Sequence, residues 1–217
     1  MPAPSIDELV LADDAEAWRR LGFTVEGDVV AAGTVRIRLA GRDAGRGVVD
    51  WSLRDIADAE LDGLPTRRSS APPAEWAPQH PNGSRQLDHV VAFSPALDRT
   101  IGALEAAGLE LRMLREGPTP GGAMRQAFFR LAEVILEVIE QPEPPDRSAP
   151  ARLWGAVFVV DDLEPLAELL GDDLGSARDA VQPGRRIATL RRSAGLAIPV
   201  AFITPEPEGR APAVATL

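Results

Sequence analysis

Two residues of the kinds that bind metal ions or transfer protons, His89 and Glu137, lie in segments with the composition of β-strands. Leu87–Phe93 and Val134–Glu140 are both rich in apolar and β-branched residues. If the two strands present these side chains to one concave face, an imidazole and a carboxylate converge in an apolar cup. That arrangement is half of a divalent metal site, or an acid–base pair adjusted by burial. The alternative is that His89 is hydrogen-bonded at the start of a strand and that Glu137 pairs with an arginine.

Neighbours of these two residues are candidates for contact with a bound molecule. Side chains alternate between the two faces of a strand, so every second residue accompanies His89 or Glu137. An arginine at the start of a further strand can hold an anionic group by two hydrogen bonds, although a surface ion pair is the alternative. The expected ligand contacts are Val91, Phe93, Arg125 and Ile135.

The composition excludes several kinds of chemistry. The 217 residues include no cysteine, which excludes disulfides and thiolate metal sites, and only two histidines, which excludes a three-histidine zinc site. All 23 basic residues are arginine, so Schiff-base and P-loop chemistry are excluded as well. The net charge of -10 argues against nucleic acid or anionic lipid as a partner. Neither a signal peptide nor a membrane span is predicted, and we expect a cytoplasmic protein.

The chain repeats one order of elements three times: strand, helix, strand, strand, strand. The middle copy is the clearest. After its first strand, Ser94 and Pro95 are typical of a helix start, an apolar stripe follows, and Gly108 is expected to end the helix. Gly22 and Gly171 occupy the corresponding positions in the first and third copies.

These repeats predict an α+β fold of repeated βαβββ modules. One helix covers only one face of its module's sheet, so the other face must meet a second module or a ligand. Two modules side by side would form an open half-barrel with a pocket, and the third module would lie at the N-terminus. The predicted units are an N-terminal module (1–56), a Pro-rich linker or lid (57–86), a central module (87–140), a C-terminal module (151–206) and a tail (207–217).

The connector between residues 140 and 151 is short, which favours the central and C-terminal modules as the pair. The linker is expected to be irregular. We expect the N-terminal module to dock mainly through this linker, with Trp76 as its anchor. The protein is then a monomer or a modest homodimer.

Two segments resemble a known family. LDHVVAFSPALD (87–98) and RQAFFRLAEVILEVIE (125–140) are similar to the opening and closing strands of the vicinal oxygen chelate superfamily, which includes glyoxalases, bleomycin-resistance proteins and extradiol dioxygenases. The resemblance implies a glyoxalase-like half-barrel in which His89 and Glu137 are metal ligands. It is good in the central module, clear in element order in the third, and present in outline in the first.

The third module departs from the family pattern. Aligning its first strand with that of the central module places Gly155 where His89 lies. Aligning the last strands places Val200 where Glu137 lies. Neither residue binds a metal through its side chain, so a site between these two modules has half of the family's ligands.

The first module offers another completion of the site. The same alignment places Glu8 at the His89 position and Asp50 near the Glu137 position. If the first and central modules pair, Glu8 joins His89 and Glu137 as a metal ligand, and such a set suits a divalent ion of Mn, Fe, Ni, Zn or Mg. The alternative is that Glu8 and Asp50 are solvated.

Two functions remain open, both with a small organic molecule as the partner. One is a metal-dependent lyase, isomerase or dioxygenase of glyoxalase type, in which the metal acts as a Lewis acid. The other is a metal-free protein that binds or sequesters its ligand, like the bleomycin-resistance branch. His89 and Glu137 together favour the first function, and Gly155 with Val200 favours the second.

Overall fold

The structure is a computed structural model that describes residues 2–74, 79–119 and 122–207. It has two β-sheets and three α-helices in these ranges. Trp76, the expected anchor of the linker, lies outside the described residues. No helix in the described part of the chain is long and apolar enough to cross a membrane.

The larger sheet has eight strands and joins two βαβββ modules. The first of these modules consists of β6 (Ser84–Ser94), α2 (Leu97–Ala106), β7 (Glu110–Thr119), β8 (Gly122–Leu131) and β9 (Val134–Glu140). The second consists of β10 (Arg152–Val160), α3 (Leu163–Leu170), β11 (Arg178–Asp179), β12 (Arg186–Thr189) and β13 (Val200–Ile203). The strand order β11-β12-β13-β10-β6-β9-β8-β7 confirms the predicted α+β class and the predicted pairing of the central and C-terminal modules.

The smaller sheet belongs to the N-terminal part of the chain. It consists of β1 (Ser5–Leu11), β2 (Val29–Ala32), β3 (Val35–Leu39), β4 (Val48–Arg54) and β5 (Thr66–Ser69), with α1 (Ala15–Arg20) after the first strand. Its order is β2-β3-β1-β4-β5, in which β3 is parallel and β4 antiparallel to β1. The segment expected to be an irregular linker therefore contains one strand, β5, and the first residues of β6.

The two central strands of the larger sheet are related by an approximate two-fold axis. β6 and β10 are antiparallel, with Val91 opposite Gly155 and His89 opposite Val157. The register shifts at Asp88 on one strand and at Trp154 on the other, because each strand carries one extra residue there. The two bulges therefore occupy equivalent positions in the two modules.

The helices end where the glycines predict. α1, α2 and α3 stop at or just before Gly22, Gly108 and Gly171, and all three glycines have positive φ. The start of α2 differs from the prediction. The helix begins at Leu97, and the Ser94 hydroxyl instead accepts a hydrogen bond from the amide of Ala96 in the turn before it.

The two sheets pack against each other through aromatic side chains. The Phe23 ring lies 5.1 Å from Phe158, and Trp18 lies 6.0 Å from the same ring. The N-terminal part therefore contacts the C-terminal module directly, so the prediction that it docks mainly through the linker was wrong. Alternate side chains of the larger sheet, such as Val90 and Phe158, face this shared core. We call that side of the larger sheet the core face and the other side the open face.

His80 connects the linker to the N-terminal sheet and is only 6% exposed. Its Nδ1 accepts a hydrogen bond from the Thr24 amide at 3.0 Å, so Nε2 carries the proton and donates to the Ala31 carbonyl at 2.8 Å. Burial lowers the pKa of His80, which keeps the ring neutral. Both nitrogens are thus used within the fold, and His80 is not available to a ligand.

Candidate functional site

The structure brings His89 and Glu137 together on the open face of the larger sheet. β6 and β9 are parallel neighbours, and their register places Glu137 beside Val91. Val91 is the next residue after His89 on the same face of β6. The His89 Nε2 and Glu137 Oε2 atoms are 3.7 Å apart. The two side chains are 13% and 15% exposed, so both are largely buried but remain accessible from the open face.

Asp88 and Arg185 hold the imidazole in place. Because of the bulge, Asp88 lies beside His89 instead of pointing to the opposite face. Its Oδ2 is 2.7 Å from His89 Nδ1, and its Oδ1 accepts a hydrogen bond of 2.5 Å from Arg185. Burial raises the pKa of Asp88, but the hydrogen bonds and charges of His89 and Arg185 lower it by more, so the group stays ionised.

Gln126 holds the Glu137 carboxylate from the other side. Its side-chain amide donates to Glu137 Oε1 at 2.5 Å from the adjacent strand β8. Burial raises the pKa of Glu137, and His89, Gln126 and Arg115 only partly offset that effect. Glu137 is therefore a carboxylate with reduced hydration and an elevated proton affinity.

The hydrogen bond at Nδ1 determines what the other side of the ring offers. With Nδ1–H donating to Asp88, a neutral His89 presents the lone pair of Nε2 toward Glu137. Two acceptor atoms then face each other at 3.7 Å, too far apart for a direct hydrogen bond. A group that donates a hydrogen bond, or a cation, satisfies both atoms by binding between them.

The equivalent positions of the C-terminal module carry no ligand atoms. The two-fold axis relates His89 to Gly155, as the sequence alignment predicted. The register of β13 relates Glu137 to Ala201 rather than to Val200, because Val200 pairs with Ala156 and lies in the core. A Cβ atom at Gly155 would lie 2.8 Å from the Pro199 carbonyl oxygen, so a side chain there has no space.

These positions decide whether a metal ion fits. Zinc and non-haem iron sites in proteins have at least three side-chain ligands. Here two donor atoms face one another, the third position is closed by backbone and the fourth is an alanine. Within the described ranges no group of three or more His, Asp and Glu side chains could hold a metal ion. The residues present do not fit the metal centre that the family resemblance implied.

Glu8 is not brought to His89 and Glu137, because β1 belongs to the other sheet. In that sheet the register gives four positions equivalent to those of His89, Glu137, Gly155 and Ala201. All four are charged: Glu8, Arg38, Asp50 and Arg67. Glu8 forms an ion pair with Arg38 at 2.8 Å, and Asp50 forms one with Arg67. The N-terminal sheet therefore carries two internal ion pairs in the places where the larger sheet carries His89, Glu137, Gly155 and Ala201.

Comparison with solved structures identifies the fold. A mutant of 4-hydroxymandelate synthase from Streptomyces coelicolor has a TM-score of 0.62 at 17% identity, and the match covers 94% of this chain and 93% of that chain. The second match is a xylose isomerase-like TIM barrel/4-hydroxyphenylpyruvate dioxygenase fusion protein, with a TM-score of 0.62 at 13% identity. This match covers 99% of the present chain and 51% of the fusion protein. The chain has the vicinal oxygen chelate fold. No family model matches the sequence, and no curated protein does.

Within this vicinal oxygen chelate fold, three of the four predicted ligand contacts share the face of the His89–Glu137 pair. The registers of β6 and β9 place Val91, Phe93 and Ile135 there. Arg125 lies on the opposite side of β8, where it pairs with Asp98 of α2 at 2.7 Å. That hydrogen bond, with further carboxylates nearby, raises the pKa of Arg125. Arg115, which pairs with Gln126 across β7 and β8, lies on the open face.

Asp88, Arg185 and Trp154 lie on the open face, and local sequence patterns do not predict this. Strict alternation places Asp88 and Trp154 on the core face, and only the two bulges bring them to the open face. Arg185 is one of four arginines between residues 185 and 192, and this composition alone does not point to the site. Its position follows from the pairing of β12 with β13, which is a long-range contact that no local pattern encodes.

Proposed function

We propose that the open face of the larger sheet binds a small organic molecule without a metal ion, and that a hydrogen-bond donor of this molecule inserts between His89 and Glu137. The observation that carries the proposal is the separation of 3.7 Å between His89 Nε2 and Glu137 Oε2, with each side chain held by a partner of its own. An ammonium group donates a hydrogen to each of the two atoms, and a single O–H or N–H group donates its one hydrogen to one of them or shares it between both. The donor is better stabilised there than in water because the pair is largely buried.

The surroundings of the pair favour an apolar ligand body. Val157, Ala201 and Ile203 form a small apolar cluster of their own on this side of the sheet. Val91 is 5% exposed and continues the apolar surface toward Phe93. A ligand that covers these side chains gains hydrophobic free energy of about 25 cal/mol for each Å² of apolar surface removed from water.

A matched pair of probes tests the role of the donor. 4-Cyclohexylphenol carries an O–H group, and its methyl ether has the same body without the donor. We expect isothermal titration calorimetry to show at least tenfold tighter binding of the phenol, because the ether leaves both acceptors without a partner. Glu137→Gln should remove most of this difference, and Glu105→Gln, the same change at an exposed position of α2, should not. Equal affinities for the two probes in the wild type would overturn the proposal.

A second candidate function is proton transfer within the bound molecule. The elevated pKa of Glu137 favours it, because a carboxylate that binds protons more strongly is a better general base near neutral pH. Glu137, protonated in that step, would then return a proton to the same molecule. NMR in D₂O tests this with 4-(4-hydroxyphenyl)butan-2-one: loss of the proton signals next to its carbonyl, faster with the wild type than with Glu137→Gln, supports catalysis. Equal exchange rates with the wild type and with Glu137→Gln would contradict proton transfer and leave ligand binding as the only proposed function.

A further inference from the structure

An aromatic cluster lies on the open face at the far end of β6 from His89. The ring centroids of Phe93 and Trp154 are 5.1 Å apart in an edge-to-face arrangement. The guanidinium carbon of Arg152 lies 5.1 Å from the centroid of Phe93, in cation–π contact. Trp154 is 37% exposed, whereas Trp18 and Trp51 are fully buried. A large indole surface is thus presented to solvent on the same face as the His89–Glu137 pair.

The second bulge produces this arrangement. Leu153 pairs with Ala92 and Gly155 pairs with Val91, so Trp154 is the extra residue between them. It therefore emerges on the open face next to Phe93 instead of entering the core. Trp154 occupies in the C-terminal module the position that Asp88 occupies in the central module, where the corresponding side chain holds the imidazole.

Small or apolar residues lie on the open face between the His89–Glu137 pair and the aromatic cluster. Phe93 follows His89 by four residues, which is about 13 Å along an extended strand. Val91 lies between them, and Gly155 opposite Val91 has no side chain. The Pro199 carbonyl oxygen lies next to the position that a Cβ atom of Gly155 would take, and it accepts a hydrogen bond from the Ala156 amide at 3.1 Å. A flat molecule about 10–13 Å long reaches from the acceptor pair to the indole across this surface.

Arg152 adds a charge at the far end. Within the described ranges it forms no ion pair, in contrast to Arg125, Arg185 and Arg186. It is exposed, and its one recorded side-chain partner is the Phe93 ring. In a chain with a net charge of -10, an arginine without a carboxylate partner beside an exposed tryptophan favours an anionic group on the ligand.

We propose that the ligand is an elongated aromatic acid. Its O–H or N–H donor lies between His89 and Glu137, its distal planar ring rests against Trp154, and its anionic substituent lies near Arg152. This inference builds on the proposed function, which requires only the donor and an apolar body. It adds the aromatic ring and the anion, and each of these additions can fail separately.

Three probes that share a phenol group separate these contributions. 4-Phenylphenol has a planar distal ring, 4-cyclohexylphenol has a saturated distal ring, and 4′-hydroxybiphenyl-4-carboxylate adds a carboxylate beyond the planar ring. Relative to the saturated probe, we expect the planar ring to bind about threefold to tenfold more tightly. We expect the carboxylate to add a further factor of about three to five, decreasing as salt is raised. Binding should also quench the fluorescence of Trp154.

Two variants assign the effects to residues. Trp154→Leu should abolish the preference for 4-phenylphenol over 4-cyclohexylphenol, and Arg152→Gln should abolish the preference for the carboxylate. Both side chains are exposed, so the fold should persist, and an unchanged melting temperature checks this. Leu169→Ala, at an exposed apolar residue of α3, is the control and should change no affinity. If the wild type binds all three probes equally but still prefers the phenol to its ether, the inference is overturned while the proposed function stands.

Discussion

Arg185 and Asp88 are 97 residues apart in sequence and form an ion pair in which the arginine side chain is only 5% exposed. The arginine also donates to the Thr204 carbonyl at 2.7 Å, so its orientation is fixed by β13. This pair connects the C-terminal module to the imidazole of the central module. Both modules therefore build the site, although the C-terminal module supplies no residue at the positions equivalent to His89 and Glu137.

Arg185→Gln should lower the free energy of unfolding by about 2–4 kcal/mol, because it leaves the Asp88 charge buried without its partner. It should also weaken the preference of His89 for the Nδ1–H tautomer, which nitrogen-15 NMR of the ring detects. Arg186→Gln is the matched control. Its pair with Glu164 is exposed and screened by solvent, so it should contribute little to stability, and it does not touch His89. Equal losses of stability in the two variants would contradict the role given to Arg185.

Divalent Mn, Fe, Ni, Zn and Mg at millimolar concentration should each change the melting temperature by less than about 1 °C. Two facing side chains without a third ligand bind these ions too weakly for a larger effect. Thermal melting with and without each salt measures this, with a chelator in the reference sample. A clear increase with one ion that is lost in His89→Ala would show that the site accepts a metal after all.

Glu137→Gln should become progressively more favourable to stability as the pH rises. The folded state raises the pKa of Glu137 above its unfolded value, so between the two values the folded protein binds more protons than the unfolded chain. Stability from this group is therefore complete below the unfolded pKa and is lost as the pH rises through the folded pKa. Melting of both proteins from pH 4 to pH 8 should show the difference moving in favour of glutamine, whereas Glu105→Gln should show a flat difference.

Gly155→Ala should destabilise the protein by about 1–3 kcal/mol, because the new Cβ atom would lie 2.8 Å from the Pro199 carbonyl oxygen. Gly102→Ala is the control. That glycine lies inside α2 with no atom within 4 Å of the new Cβ, so alanine should stabilise by about 0.5–1 kcal/mol. Urea denaturation of the wild type and the two variants measures both changes in the free energy of unfolding. A neutral effect at Gly155 would mean that the third ligand position is open.

Local sequence patterns predicted most of the elements, though not β5, and did not predict all of their partners. The strands around His89 and Glu137 and the helix ends at Gly108 and Gly171 follow from composition and backbone preference. The match of Glu137 to Ala201 instead of Val200 does not, because a shift of one residue exchanges the two faces of a strand.

The N-terminal part shows the same limit on a larger scale. The predicted order of strand, helix, strand, strand, strand holds in that segment, with the second strand at Val29–Ala32. The parallel neighbour of β1 is β3, so Arg38 lies in the place considered for Asp50. Which strand pairs with which depends on contacts across the whole sheet, and local hydrophobicity does not encode that order.

The ion pairs of Glu8 with Arg38 and of Asp50 with Arg67 have a consequence for stoichiometry. The fold presents two sheets of related design, yet in one of them every position equivalent to the His89–Glu137 pair is neutralised by a neighbour. A ligand that sought this face would have to separate charges that already satisfy one another. Within the described ranges the proposed site therefore occurs once, and we expect its saturation to follow a simple hyperbola at one equivalent per chain.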